Sequence, residues 1–257
     1  MLSQSHKQRY LRAINLPNVG EEGQLKLLGA SVLIVGVGAI GSITSTYLTA
    51  AGVGRIGLID FDTIDIEDLQ HQVLYETSFL NRPKVRSAQA KLQRMNPDIV
   101  IEGYFQALDV RNALKIIQGY DFIIDTTSNL HTTFLVNQAC VATNKPFSTA
   151  GYYQYQGQIM THIPGSACFS CVFENLLPQE LRRTIQSGVY GFSTGIVGSM
   201  QAGEAIKYFL HKDTPYLRDT LLVDCLGVFD TQNLYFNKLL ARKNPSCPVC
   251  SKDSKQS

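Results

Sequence analysis

The sequence predicts an α/β fold, a doubly wound and mostly parallel sheet that ends in antiparallel strands toward the C-terminus. Three observations predict it. Short apolar runs alternate with helical stretches through about residue 150, as in successive strand–helix–strand units. A glycine-rich turn, Gly36-Val37-Gly38-Ala39-Ile40-Gly41, separates the first apolar run from the first strong helix, as in Rossmann-like sheets that bring backbone against a ligand. After residue 150 the texture changes to extended runs and two Cys-x-x-Cys pairs.

Residues 1–30 form a polar helical arm ahead of the first strand, 31–35 (SVLIV). The glycine turn follows, then a helix over 42–51 that Gly52 and Gly54 close, then a strand at 55–60 (RIGLID) ending in an acid. Residues 61–83 are polar and lack apolar periodicity. Such a length is too great for an ordinary connection, so it is read as a functional crossover or lid. A helix over 84–95 stops at Asn96-Pro97. A strand at 99–104, a helix at 110–118 and a buried strand at 121–125 (DFIID) come next, then a helix at 130–142 and a strand at 146–150. Beyond them stand an extended run at 156–163, a polar stretch at 176–191, a helix at 195–210 and strands at 220–225 and 233–239. No repeat or linker interrupts the chain. It is read as one domain over 1–257, with a nucleotide-binding core at 31–150 and a substrate-side, metal-binding part at 151–257.

Composition bounds the function. The 257 residues are 44% hydrophobic and 17% charged, with a net charge of +2, enough for a full core and too balanced for a disordered chain. No dense run of Lys and Arg makes a phosphate-tracking stripe, so nucleic acid is not an expected partner. No segment reaches transmembrane length, and the N-terminus lacks the apolar stretch of a signal peptide. A cytoplasmic protein is expected, where thiols stay reduced. Cys168, Cys171, Cys247 and Cys250 are four of the six cysteines. Two such pairs complete a tetrahedral sulfur site for Zn²⁺, structural because protein fills every position. Two unrelated pairs or a disulfide are the alternatives. Cys140 and Cys225 lie in apolar sequence and are read as core residues.

The glycine turn admits a phosphate to a helix N-terminus, but it serves NAD, FAD and ATP alike. Asp60 falls where an acid would bond ribose hydroxyls. Asp62, two residues on, adds a carboxylate for a possible metal. Gln70, Gln72 and Lys84 follow, and Lys84 opens a helix from which a cation reaches a triphosphate. A dehydrogenase needs neither this polar crossover nor a cysteine knot, whereas a carboxylate-adenylating enzyme has use for both.

Many motifs in order now make the resemblance explicit: Arg9-Tyr10-Leu11-Arg12, Glu22-Gly23-Gln24, the glycine turn, AGVGRIGLIDFD at 51–62, Leu69-Gln70-x-Gln72, Pro83-Lys84-Val85, Asn96-Pro97, Gly188-Val189, GIVGSMQAGEAIK at 195–207 and both cysteine pairs. Over nearly its whole length the chain resembles the MoeB/ThiF/HesA family, prokaryotic relatives of ubiquitin-activating enzymes. The resemblance implies an ATP- and Mg²⁺-dependent adenylyltransferase. Its acceptor would be the C-terminal carboxylate of a small ubiquitin-like sulfur carrier or a specialised peptide. It implies that Gly36, Gly38, Ala39 and Gly41 approach the nucleotide by backbone, that Asp60 holds the ribose and that Lys84 meets the phosphates. Asp62, Gln72, Ser128 and Asn129 would complete the nucleotide site. It also implies a homodimer in which Arg12 reaches the neighbouring subunit's ATP.

The chain departs from that pattern at four positions. Asn becomes Asp68, the phosphate-binding Arg becomes His71, and the Mg²⁺-holding Asp becomes Ser128. The sulfur-transfer cysteine of some relatives aligns with Thr184. Asp68 is expected to replace the acid lost at Ser128 as a metal ligand, and His71 to be protonated beside the triphosphate. Without a free cysteine between Cys171 and Cys225, the reaction is expected to stop at the adenylate. The alternatives are a catalytically weakened, dimeric nucleotide and zinc binder, and an NAD-dependent oxidoreductase.

Overall fold

The computed structural model describes residues 1–173 and 188–251. Three short helices, α1 (Gln4–Arg9), α2 (Leu11–Ile14) and α3 (Gly20–Leu28), lead into β1 (Ser31–Val35). Then come α4 (Ala39–Ala51), β2 (Arg55–Asp60), α5 (Lys84–Met95), β3 (Val100–Phe105), α6 (Ala113–Gln118), β4 (Phe122–Asp125), α7 (Leu130–Ala142) and β5 (Phe147–Tyr153). β6 (Gln156–His162), α8 (Phe169–Phe173), α9 (Gly191–His211), α10 (Leu217–Thr220), β7 (Cys225–Asp230) and β8 (Tyr235–Leu240) complete the order. The strands form one sheet in the order β3-β2-β1-β4-β5-β6-β7-β8. β1 to β5 are parallel, and β6, β7 and β8 add antiparallel.

Strand alternation explains the double winding. On β1, Val32 and Ile34 pack with Leu48, Val85, Leu92 and Phe209 from helices on one face. Leu33 and Val35 pack with Ile117, Val136 and Ala139 on the other. A strand buried on both faces must be apolar throughout, which is why SVLIV shows no polar alternation. The strand order reverses between β1 and β4, and such a switch point opens a crevice beyond the strands' C-terminal ends.

Helix α9 packs against α4 and lends Thr194 to the lining of the crevice. Gly198 allows it to lie against α4, because a Cβ there would stand 2.7 Å from the Ile40 carbonyl oxygen. Thr44 Oγ1 donates to the Gly198 carbonyl, and Gln201 Nε2 donates to that of Asp125 at the end of β4.

The crossover at 61–83 is anchored rather than loose. It carries two 3₁₀ turns, Ile66–Asp68 and Thr77–Phe79, and a bridge between Thr63 and Pro83. Ile64, Leu74 and Tyr75 are buried in the core. The expected strand at 220–225 is absent. A helical turn occupies Leu217–Thr220, and β7 starts only at Cys225. Tertiary partners override the apolar run there: the buried Glu204 carboxylate accepts from Leu222 N, Thr161 N donates to Leu222 O, and Asp224 sits at φ 54°. Cys140 is buried as expected, but Cys225 is only half-buried, at the start of that strand. Thr184 and most of the 176–191 stretch lie outside the described residues.

Candidate active site

A cleft of about 1030 Å³ opens at the switch point. Its floor is the glycine turn. Gly36 has φ 89°, and a Cβ on Gly41 would stand 2.2 Å from the Gly36 carbonyl oxygen. These two glycines let the turn close on itself. Gly38 differs: the nearest atom to its absent Cβ is Gln72 Nε2 at 3.9 Å. The open side of the turn therefore faces the cleft, at the start of the 13-residue α4, where no side chain caps the first amides. Uncapped amides and the helix dipole favour an anion there.

Asp60 ends β2 at the cleft wall. Its Oδ2 accepts from Val37 N at 2.7 Å and its Oδ1 from Asp62 N at 2.9 Å. Burial raises its pKa against the pull of those two hydrogen bonds and of Lys84. Lys84 is only 6% exposed although it begins α5. Its Nζ stands 3.2 Å from Asp68 Oδ2 and 3.7 Å from Asp62 Oδ2. Asp68 also accepts from Asp65 N at 3.0 Å and from Gln72 Nε2 at 2.6 Å.

His71, Ser128 and Asn129 line the same cleft. Asn129 also caps α7, its side chain accepting from His131 N. Burial holds His71 below its ordinary pKa and Lys84 adds to that, while Asp68 and Glu67 pull the other way. In the nucleotide-free chain this favours neutral His71 at pH 7. Arg12 is exposed on α2 and does not line this cleft.

The four paired cysteines converge. Their sulfurs lie within 4.8 Å of one another, with Cys168–Cys171 at 3.8 Å, Cys168–Cys247 at 3.7 Å and Cys171–Cys250 at 3.4 Å. A Zn–S bond of about 2.3 Å gives a tetrahedral edge of about 3.8 Å. These spacings are too long for a disulfide, and all six cysteines are free. Burial pushes the Cys168 thiol well up and that of Cys250 up to about 11. The cluster has the ligand number and spacing of a four-cysteine metal site.

A family model described as the ThiF family matches residues 10–249. The chain belongs to the ThiF family. This ThiF chain is 38% identical over 255 residues to a sulfur carrier protein adenylyltransferase of Thermus thermophilus, matching 96% of this chain and 92% of that protein. It is 39% identical over 251 residues to the adenylyltransferase and sulfurtransferase MOCS3 of Sus scrofa. That match covers 97% of the ThiF chain but 54% of MOCS3, so the chain spans about half that relative's length. Among solved structures, Escherichia coli MccB with ATP shares the fold, with a TM-score of 0.80 over 97% of this chain and 74% of that one at 20% identity. MccB with MccA-N7isoASN gives 0.81 over 95% and 75% at 21% identity.

Several residues that shape the ThiF cleft carry no motif. Tyr75 donates to the Val37 carbonyl at 2.7 Å and so pins the glycine turn from the crossover. Thr126 Oγ1 donates to the Gly36 carbonyl at 2.7 Å. Buried Asp125 accepts from Thr127 and Thr149 and sets the turn that presents Ser128. Burial raises the Asp125 pKa, against hydrogen bonds from Thr133, Thr127 and Thr149. For Asp125 and Thr126 the available signal was their place at the end of β4, at the switch point. The far wall, including Tyr152, Gln158, Met160 and Val228, comes from β5, β6 and β7.

Proposed function

We propose that this ThiF-family chain is an ATP-dependent adenylyltransferase that activates the C-terminal carboxylate of a small ubiquitin-like carrier protein or a peptide. The observation that carries this reading is the cleft: an open glycine turn at an uncapped helix start, with a buried lysine and ribose-height acid beside it. A carboxylate oxygen of the acceptor attacks the α-phosphorus. The bond from that phosphorus to the α–β bridging oxygen breaks, and pyrophosphate leaves with its electron pair. No proton need move at the reacting atoms, so the protein's work is to position and to stabilise charge. The first amides of α4, at Ala39 and Gly41, hold phosphate oxygens. Asp60, fixed by Val37 and Asp62, accepts from the ribose. Lys84 meets the phosphates from α5. Ser128 and Asn129 close the nucleotide site opposite. His71 gains a proton as the polyphosphate arrives. Arg12, exposed on its own subunit, serves the cleft of a second copy in a homodimer.

Asp62 presents a half-exposed carboxylate to the cleft, which fits a hard cation, and Mg²⁺ is commonly held by one or two carboxylates plus substrate phosphates. When bound, Mg²⁺ would neutralise part of the triphosphate charge. The cysteine cluster fits Zn²⁺ in a structural role, with no position left for substrate. Cys140 is buried and Cys225 half-buried, and burial raises both thiols. The reaction accordingly ends at the acyl-adenylate. Among the described residues, no helix is long and apolar enough to cross a membrane.

Pyrophosphate–ATP exchange tests the proposal. Exchange is expected only with small proteins or peptides that end in a free carboxylate, those encoded beside this chain first. C-terminal amidation of an active acceptor should abolish it. ATP binding without exchange for any such acceptor would instead leave a nucleotide-binding protein.

A further inference from the structure

We propose that Asp68 is a positioning residue that acts on the nucleotide through Lys84 and Gln72, and is not a ligand of the metal. This rests on reading the cleft as an ATP site.

The Asp68 carboxylate is already committed. Oδ2 faces both Asp65 N, at 3.0 Å, and the Lys84 ammonium, at 3.2 Å. Oδ1 accepts from Gln72 Nε2 at 2.6 Å. A carboxylate offers about four lone-pair directions, and three donors occupy them here, one of them a cation. A divalent ion at Oδ2 would have to displace Lys84 or share an oxygen with it. Asp62 is in the opposite situation: its side chain is 52% exposed and Lys84 stands farther off, at 3.7 Å. The free oxygen for a cation is on Asp62.

The two groups that Asp68 holds both belong to the cleft. Lys84 carries a long side chain whose rotamer freedom must be lost before it can meet a phosphate, and its contact with Asp68 has removed that freedom beforehand. Gln72 is buried, and its Nε2 is the atom nearest the open side of Gly38. Its bond to Asp68 fixes the amide, and Gln72 Oε1 is left buried with no hydrogen-bond partner. One carboxylate thus orients a cation and an amide against the phosphate end of the turn. Asparagine at this position keeps the shape: its oxygen can accept from Lys84 while its amide donates to a turned Gln72 Oε1. What asparagine loses is the negative charge facing Lys84, so Asp68→Asn isolates that contribution.

The test is the affinity for the fluorescent nucleotide mant-ATP of the full chain and of the Asp68→Asn, Lys84→Met and double variants, each in EDTA and in Mg²⁺. Asp68→Asn is expected to weaken binding about 5–10-fold by the same factor in both buffers, and to add less than about 2-fold once Lys84 is gone. A loss confined to the Mg²⁺ buffer, or full additivity with Lys84→Met, overturns the proposal in favour of a metal ligand. The same four proteins are unfolded thermally without nucleotide. Coupling between the two substitutions there supports the Asp68–Lys84 unit, and its absence overturns it. A wild-type chain that binds no mant-ATP would refute the ATP reading, while the unfolding cycle still decides the pairing.

Discussion

Among single residues, His162 ties stability to pH. It is buried on β6, its Nδ1 lies 3.1 Å from both the Ala167 carbonyl and Ser166 Oγ, and its ring packs against Phe147. Burial pushes its pKa down to about 4, against the pull of the Ala167 carbonyl, from an ordinary 6.5. Between those values the unfolded chain binds the extra proton. Stability present at neutral pH is therefore lost as the pH falls through that window, by up to about 3 kcal/mol. Urea unfolding between neutral pH and about pH 4.5 should show this decline in the wild type and a shallower one in His162→Gln. Equal slopes would refute it. Residues differ in how far sequence revealed them. Asp60, Gln72 and Lys84 were legible as cleft residues because Asp60 ends the strand after the glycine turn and the other two stand in motifs that resemble the family's. The ionisation of His71 was not, because it depends on burial and on Lys84, thirteen positions away in sequence.

Among elements, the glycine turn separates folding from binding. Gly41→Ala places a methyl 2.2 Å from a backbone oxygen, and the chain must shift, at a cost of roughly 2–3 kcal/mol or more. At Gly38 the space around the absent Cβ is open and φ is negative, −79°. Gly38→Ala should keep its melting temperature within about 2 °C yet lose about 10-fold or more in ATP affinity, because the methyl fills the place of a phosphate. Thermal unfolding and calorimetric titration read the two effects apart, and tight ATP binding by Gly38→Ala would remove the nucleotide from this end of the cleft. The helices at 84–95 and 130–142 were legible to the residue, since Pro83 and Asn129 mark their starts and Asn96 follows the end of the first. The run at 220–225 misled because Leu222 is held by the Glu204 side chain and a single backbone bond from Thr161 rather than by a strand ladder.

In the whole molecule, the cysteine site joins the segment after β6 to the end of the described chain, across a separation of 79 residues between Cys168 and Cys247. Closing so long a loop through one ion adds stability only while the metal is bound. Metal analysis should find about one zinc per chain, and chelation or Cys250→Ser should lower the melting temperature by roughly 5 °C or more. A metal-free chain that melts at the wild-type temperature would exclude that role. The sequence by itself determined the doubly wound sheet, the glycine turn, the membership of the four cysteines and the family, because each rests on local spacing or apolar period. Only the tertiary structure decided which glycine faces the cleft, that Asp68 is already bound by Lys84 and Gln72, that burial favours neutral His71 without nucleotide and that Asp125 and its threonines frame the site. Those properties depend on distances and burial between segments far apart in the chain, and no local pattern of residues encodes them.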